Sequence, residues 1–257
     1  MEKMLHPAYL KAFVANCSTV ERARFSKSHA VLFIEVGEFY QEGERLLALL
    51  RFINTKFKRC TIILGDTLQR HLLQAKERTD AASAYTQALV KGNEWMEKNS
   101  FIYQRLGIPF TIVRWEEWLK HPDYQYNRKR LDQLYLSNAG FRIVFDEMVQ
   151  KISKRWQALS EVQDAARLDT LCTDYLKEKC AVVISWAKCG YDFAIFTRRM
   201  NEVMNQLYLI FIKPFYANKM VPVILRFKKY SSHHLISQPE KVEEIDLISI
   251  PLEGVLI

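Results

Sequence analysis

The sequence predicts an α/β protein, a parallel sheet covered by helices on both faces. Three observations carry that prediction. Short apolar runs recur along the chain at Ala30–Ile34, Cys60–Leu64, Pro109–Arg114, Phe193–Phe196 and Val221–Phe227. Ala30–Ile34 is continuous rather than alternating, as a strand buried on both faces requires, and Cys60–Leu64 reads as a second buried strand. Stretches of helical periodicity separate the runs. The first run ends in a turn carrying Gly37 and Gly43 and opens into an amphipathic helix, the place where an α/β fold builds its site.

The elements follow in order. Residues 1–27 read as an irregular arm with a short helix near Val20-Glu21-Arg22-Ala23-Arg24. After the first strand, Gly43–Phe57 has helical spacing, with Leu46, Leu47, Leu50 and Ile53 on one face. Thr67–Glu77 and Ala81–Asn99 read as helices, and Glu116–Lys120 as a short one. One long amphipathic helix is expected over Tyr126–Trp156. Another, over Arg167–Gly190, places Tyr175 and Lys179 one turn apart on the same face. Asn201–Phe211 is a helix before the last strand. From Tyr230 the chain turns polar and then runs into an apolar stretch, Ile245–Ile257. The whole, 1–257, is expected to form one domain, with 1–27 as an N-terminal arm and 230–257 as a C-terminal tail.

Composition narrows the function classes. Apolar residues make up 49% and charged residues 26% of the 257, which is ordinary for a globular protein. Only 8 glycines and 7 prolines argue against long linkers. No apolar run reaches the roughly 18 residues of a membrane span, and the start has no signal-peptide core, so a cytoplasmic protein is expected. The cysteines at 17, 60, 172, 180 and 189 are odd in number and read as buried free thiols in a reducing compartment. No Cys-x-x-Cys pair occurs and His233-His234 is isolated, so no metal is expected. There is no Gly-x-Gly-x-x-Gly and no Walker loop, so no nucleotide cofactor is expected either. The net charge of +8 is compatible with a polyanionic partner and equally with a solvated basic surface.

Three stretches carry a family resemblance. The first is Phe33-Ile-Glu35-Val-Gly37 followed by Tyr40-Gln-Glu-Gly43-Glu-Arg-Leu46. The second is Asp66-Thr-Leu-Gln-Arg70-His71, with Lys91-Gly-Asn-Glu-Trp95 and Arg114-Trp115-Glu-Glu-Trp118-Leu-Lys-His121 after it. The third is Tyr175-Leu-Lys-Glu-Lys179, then Gly190-Tyr-Asp-Phe-Ala-Ile-Phe196-Thr197. In this order and spacing, from about Val31 to Phe227, they resemble the tRNA-dependent cyclodipeptide synthases. Those enzymes join two amino acids, taken from aminoacyl-tRNAs, into a cyclic dipeptide. The resemblance implies a Rossmann-like sheet similar to the catalytic domain of class I aminoacyl-tRNA synthetases, and aminoacyl-tRNA as a partner.

The resemblance also shows where this chain departs. The family reads Gly-Ile-Ser-Val-Gly, so its nucleophilic serine falls on Glu35 and its small glycine on Phe33. The family's Tyr-x-x-x-Glu falls on Tyr175 and Lys179, and its Tyr-Pro on Phe196 and Thr197. Gly37 keeps its place. Covalent acyl transfer needs a hydroxyl or thiol nucleophile. A carboxylate at 35 would give a mixed anhydride and would repel the end of a tRNA. A lysine at 179 would repel the α-ammonium that the family's glutamate attracts. Taken alone, Lys179 is more often an exposed helix lysine, and Phe33 is more often plain core. Taken together, opposite charges at 35 and 179 in one pocket are expected to form an ion pair, with Tyr175 adding a hydrogen bond.

The basic features are less altered. Lys91 and Lys98 lie on the helix where the family carries tRNA-contacting cations. Asn127-Arg128-Lys129-Arg130 and Arg226-Phe227-Lys228-Lys229-Tyr230 mix charge with aromatic neighbours, in nucleic-acid style or simply as solvated faces. Trp115, Trp118 and Trp186 are expected in the core. The expected function is that of a synthase scaffold without its nucleophile, a pseudoenzyme or binding protein that keeps affinity for tRNA. The alternatives are an active aminoacyl-tRNA-dependent transferase with altered chemistry, and a protein-interaction scaffold.

Overall fold

The computed structural model of the chain describes residues 9–159 and 164–230. Strand β1 is Tyr9–Asn16 and β2 is His29–Glu35; between them lie helix α1, Thr19–Arg22, and a 3-10 turn at Phe25–Lys27. Helix α2, Gly43–Lys56, leads to β3, Arg59–Gly65. A 3-10 turn at Thr67–Gln69 runs into α3, Arg70–Glu77, followed by α4, Ala81–Tyr103. Strand β4 is Phe110–Arg114. Then come α5, Trp115–Leu119, α6, Pro122–Ser137, α7, Ala139–Gln157, and α8, Ala165–Trp186. Strand β5, Phe193–Phe196, helix α9, Glu202–Leu207, with a π turn at Tyr208–Ile212, and β6, Val221–Tyr230, complete the described chain.

The sheet has the order β1-β6-β5-β2-β3-β4. The pairs β2–β3, β3–β4, β2–β5 and β5–β6 are parallel, as expected from the intervening helices. The pair β1–β6 is antiparallel, with Tyr9 opposite Tyr230. The sheet is therefore mixed at one edge, and the expectation of an irregular arm over residues 1–27 fails for Tyr9–Asn16. The alternation of Leu10, Ala12 and Val14 toward the core against the exposed Lys11 and Ala15 is a strand period, hidden in a short and modestly apolar run. The short helix expected near Val20 is present, capped by Ser18, whose hydroxyl accepts from the Glu21 amide. The 230–257 tail lies outside the described residues apart from Tyr230, as does His233-His234.

Two cores sandwich the sheet. Along β2, Ala30, Leu32 and Ile34 join the core beneath α2 and α4, while Val31 and Phe33 face the core built by α5 to α9. That strict period of two sends Glu35, the last residue of β2, to the second side, toward α8. Helix α2 buries Leu46, Leu49, Leu50 and Ile53, spaced i, i+3, i+4 and i+7. Trp115, Trp118 and Trp186 are core residues, as expected.

The single helix expected over Tyr126–Trp156 is two. Asn138 has non-helical backbone, its N–H still bonded to the Leu134 carbonyl and its side-chain oxygen accepting from the Phe141 amide. It ends α6 and caps α7, so the break is an N-cap that an amphipathic pattern conceals. The cysteines also differ from expectation: Cys60, Cys172 and Cys180 are buried free thiols, but Cys17 is half-buried and Cys189 exposed.

Candidate functional site

Chain order reverses at β2. From it the chain continues to β3 and β4 on one side, whereas β5 and β6 add on the other. The carboxyl end of such a switch strand is where open α/β sheets form their crevice. Glu35 sits there, and Gly37 follows with φ +88°, a left-handed turn that a side chain would strain. Gln41 fixes the strand end from within the loop. Its amide donates to the Phe33 carbonyl at 2.6 Å and accepts from the Glu35 N–H at 2.7 Å. Sequence reasoning misses this buried glutamine; its one signal is a polar residue shortly past a strand whose end must satisfy its backbone groups.

Helix α8 lays Tyr175 and Lys179 across that end. Lys179 Nζ is 3.2 Å from Glu35 Oε2 and 3.4 Å from Oε1. Tyr175 donates its hydroxyl to Glu35 Oε1, and Lys179 Nζ is 3.2 Å from the same hydroxyl. The side chains of Glu35 and Lys179 are 13% and 19% exposed, so the pair is largely withdrawn from water. Burial pushes the Glu35 carboxyl up, but the Lys179 ammonium and the hydrogen bonds from Tyr175 and Lys179 outweigh it and hold the carboxyl below its ordinary range. Burial, then the Glu35 charge, drives the Tyr175 phenol well above its ordinary value. The phenol is therefore a hydrogen-bond donor, not a base, at neutral pH.

Phe33 closes the wall beneath. Its ring centroid lies 5.4 Å from that of Trp115 and 5.8 Å from that of Trp186, and Lys179 Nζ stands 5.1 Å from it. A Cβ on Gly65 would come within 2.6 Å of the Phe33 ring, so the ring occupies the space against the β3 backbone. Phe196 ends β5, the strand beside β2, half-buried against the same core, with Thr197 next. Having no hydroxyl, Phe196 adds nothing polar to the group. At the rim, Arg155 of α7 pairs with Glu38, and the Arg198 guanidinium lies 3.9 Å from the Tyr40 ring centroid.

A second buried carboxylate anchors the helices that carry the site. Glu178, next to Lys179, accepts from both terminal guanidinium nitrogens of Arg70, from the Trp115 indole N–H at 2.8 Å and from His71 Nε2 at 3.4 Å. Burial pushes this carboxyl up, yet the hydrogen bonds from His71 and Arg70 and their charges win and hold it at about 2. Arg114 similarly clamps Asp66 at 2.6 Å, Asn93 at 2.6 Å and the Leu89 carbonyl at 3.2 Å. The Asp66–His71 and Arg114–Trp115 stretches thus tie α3, α4, α5 and α8 together.

The basic features separate. Lys91 and Lys98 are both exposed on α4, two turns apart. Lys98 Nζ is 2.7 Å from Glu42, and Lys91 Nζ 3.9 Å from Glu77. The 127–130 cluster is not a free basic face. Asn127 is buried and bonds Ser185, Arg128 meets Asp174 at 3.1 Å, and Arg130 stands 4.6 Å from the Phe211 ring centroid. Residues 226–230 end β6 and pair with β1. Among the described residues, no group of three or more His, Cys, Asp or Glu is placed to hold a metal ion, and no helix is long and apolar enough to cross a membrane.

No family model matches the chain, nor does any curated protein. Solved structures do. The fold is shared with cyclodipeptide synthases: one from Candidatus Glomeribacter gigasporarum, solved bound to Phe-tRNAPhe, is 15% identical with a TM-score of 0.68, over 90% of this chain and 98% of that one. A Mycobacterium tuberculosis protein, described as demonstrating that cyclodipeptide synthetases are related to type I tRNA synthetases, is 15% identical with a TM-score of 0.62, over 86% and 95%. Beyond fold, the chain is 33% identical to a CDPS from Fluoribacter dumoffii, with a TM-score of 0.84 over 87% of this chain and 100% of that one. At that identity and coverage the chain belongs to the cyclodipeptide synthase family.

Proposed function

We propose that this chain is a cyclodipeptide synthase scaffold turned from catalysis to binding, one that retains affinity for aminoacyl-tRNA but does not run an acyl-enzyme cycle. The observation that carries this reading is the Glu35–Lys179–Tyr175 group. An acyl-enzyme requires a nucleophile free to attack and a base to take its proton. Glu35 is a carboxylate already engaged by an ammonium and a phenol, and its basicity is lowered by them. A carboxylate that did attack would form an anhydride, which water cleaves readily. Lys179 adds a positive charge where an incoming aminoacyl ammonium would have to sit. Phe33 fills the wall between Trp115 and Trp186.

Affinity for aminoacyl-tRNA is supported by family membership, by a relative solved with Phe-tRNAPhe, and by the exposed cations Lys91 and Lys98 on α4. Two measurements test the reading. Mass spectrometry of cells expressing the chain, against an active synthase as control, is expected to find no cyclic dipeptide; accumulation above background overturns the loss of catalysis. A gel-shift titration with aminoacyl-tRNA is expected to show binding that weakens with salt. No shift even at low salt overturns retained RNA affinity and leaves the scaffold acting through protein partners.

A further inference from the structure

A groove of about 790 Å³ opens between β1 and α2, and none of Glu35, Tyr175, Lys179 and Phe33 borders it. Five consecutive β1 residues, Leu10 to Val14, border it. Successive strand residues point to opposite faces, so a cavity touched by all five is approached along the strand's edge. Strand β1 is the end of the sheet, bonded to β6 on one side and to no other strand among the described residues. An unpaired edge offers a row of backbone donors and acceptors to an extended segment. The opposite wall is α2, with Ala48 and Phe52 apolar beneath and Arg51 and Lys56 exposed above. Arg22 adds a third cation from α1. Arg51 and Lys56 form no ion pair among the described residues.

An apolar floor, a hydrogen-bonding edge and a cationic rim fit an extended segment that mixes apolar and acidic side chains. The chain contains one. Between Glu240 and Ile257 there are five acidic residues, Glu240, Glu243, Glu244, Asp246 and Glu253, against Lys241 alone. Glu244-Ile245-Asp246-Leu247 alternates charge with bulk, and Ile248 and Ile250 follow. This is the reverse of the chain's net charge of +8. Reach is sufficient. Tyr230 lies opposite Tyr9, one strand in from the free edge. Nine residues, 231–239, span up to about 30 Å when extended, against a strand spacing of roughly 4.8 Å. We propose that the β1–α2 groove binds the chain's own segment Val242–Leu252, its acids meeting Arg22, Arg51 and Lys56. This assignment is independent of the reading of the Glu35 site.

The test uses the full chain and three variants: E243K/E244K/D246K, R51E/K56E, and the two sets combined. All five positions lie in the segment or on the exposed face of α2. Circular dichroism and melting temperature check that the fold is kept. Hydrogen exchange is followed at the β1 amides not bonded to β6, since a bound segment protects them. Exchange there is expected to quicken about ten-fold in each charge-reversed set and to return toward the parental rate in the combined variant, where charges are complementary again. Unchanged exchange in both sets, or faster exchange without recovery in the combination, overturns the proposal. Protection that rises with protein concentration overturns it too, because the occupant would then belong to a second copy. A peptide of residues 240–257 added to the E243K/E244K/D246K variant is expected to restore protection; failure to restore it at saturating peptide counts against the groove.

Discussion

Replacing Lys179 by Met tests whether the ion pair is a unit. Methionine keeps length and apolar contact with Phe33 and Tyr175 while removing the charge. Glu35 would be left with the Tyr175 hydroxyl as its main remaining partner, since Arg155 acts on it only from a distance. Breaking one side of a buried pair costs roughly 3–5 kcal/mol. Two facts set the magnitude here. The pair is 13% and 19% exposed, so water screens part of the orphan charge. The orphan can also escape by taking a proton. At 1.36 kcal/mol for each pH unit between an ordinary glutamate near 4.5 and pH 7, that route costs about 3.4 kcal/mol, a ceiling on the penalty of the orphan charge, to which the lost attraction of the pair adds.

The expected loss for Lys179→Met is therefore about 3 kcal/mol at pH 7. For a chain of this size that is a fall of roughly 6–12 °C in melting temperature. The double variant Lys179→Met with Glu35→Gln leaves no orphan charge, and the amide still accepts from Tyr175. Its loss is expected to be about 1 kcal/mol or less. Urea unfolding of the four proteins of the cycle reads the coupling directly, with equal m-values as the control. The deficit of the single variant should shrink between pH 7.5 and pH 5, as Glu35 takes up its proton at falling cost. Equal losses in the single and double variants, or a single-variant deficit indifferent to pH, would refute the reasoning.

If catalysis is lost as proposed, Glu35→Ser alone is expected to yield no cyclic dipeptide, because Lys179 and Phe33 remain; product detected by mass spectrometry from that single variant would show that these two residues do not exclude the substrate. Lys91→Gln with Lys98→Gln should weaken tRNA binding about equally across tRNA sequences and flatten the slope of affinity against salt by about two charges, read by titration at several salt concentrations. Acid should unfold the chain through its buried carboxylates. Glu178 is held at about 2, below its ordinary value near 4.5, so its contribution, roughly 3 kcal/mol, is full above about 4.5 and is lost as pH falls toward 2. Glu35 is depressed in the same direction, so Glu178→Gln should flatten the stability profile below pH 4.5 without abolishing its slope. Gly92→Ala should cost about 1–3 kcal/mol by overpacking, since the new Cβ would lie 2.6 Å from Asp66 Oδ2 and 2.8 Å from Arg114 Nη2; a melt matching the parent would show that the clamp can shift.

What the sequence disclosed, and what it hid, follows from the range of the interactions involved. The central parallel strands β2, β3 and β5 were legible because burial on both faces writes itself as continuous apolar runs. β1 was not, because an edge strand with one solvated flank needs only three core residues, Leu10, Ala12 and Val14, and its partner β6 lies more than two hundred positions later. The Asn138 break was hidden because the apolar stripe resumes across it, and only a single side-chain cap marks the boundary. At the site, Glu35, Tyr175 and Lys179 were brought together on family spacing and expected charge balance, and the structure places them in one hydrogen-bonded group. Gln41, Arg155 and the Glu178 anchor were missed, since nothing local in their sequence distinguishes a buried polar partner from a surface one.

The residues at positions 33, 35, 175 and 179 form a physically coherent group. Either charge alone would be costly. A carboxylate at the end of β2 would keep only the Tyr175 hydroxyl, and a lysine on the inner face of α8 would be desolvated with no counter-charge. Together each removes the others' cost. Lys179 neutralises Glu35, Phe33 offers its ring to the Lys179 ammonium, and Tyr175 supplies the remaining donor. A decayed catalytic site would carry unmatched charges and voids, relaxed only by chance. A site in which Glu35, Lys179, Tyr175 and Phe33 satisfy one another is held closed by its own contacts. That closure is what the proposed binding role expects, since a pocket held by its own ion pair offers no free nucleophile.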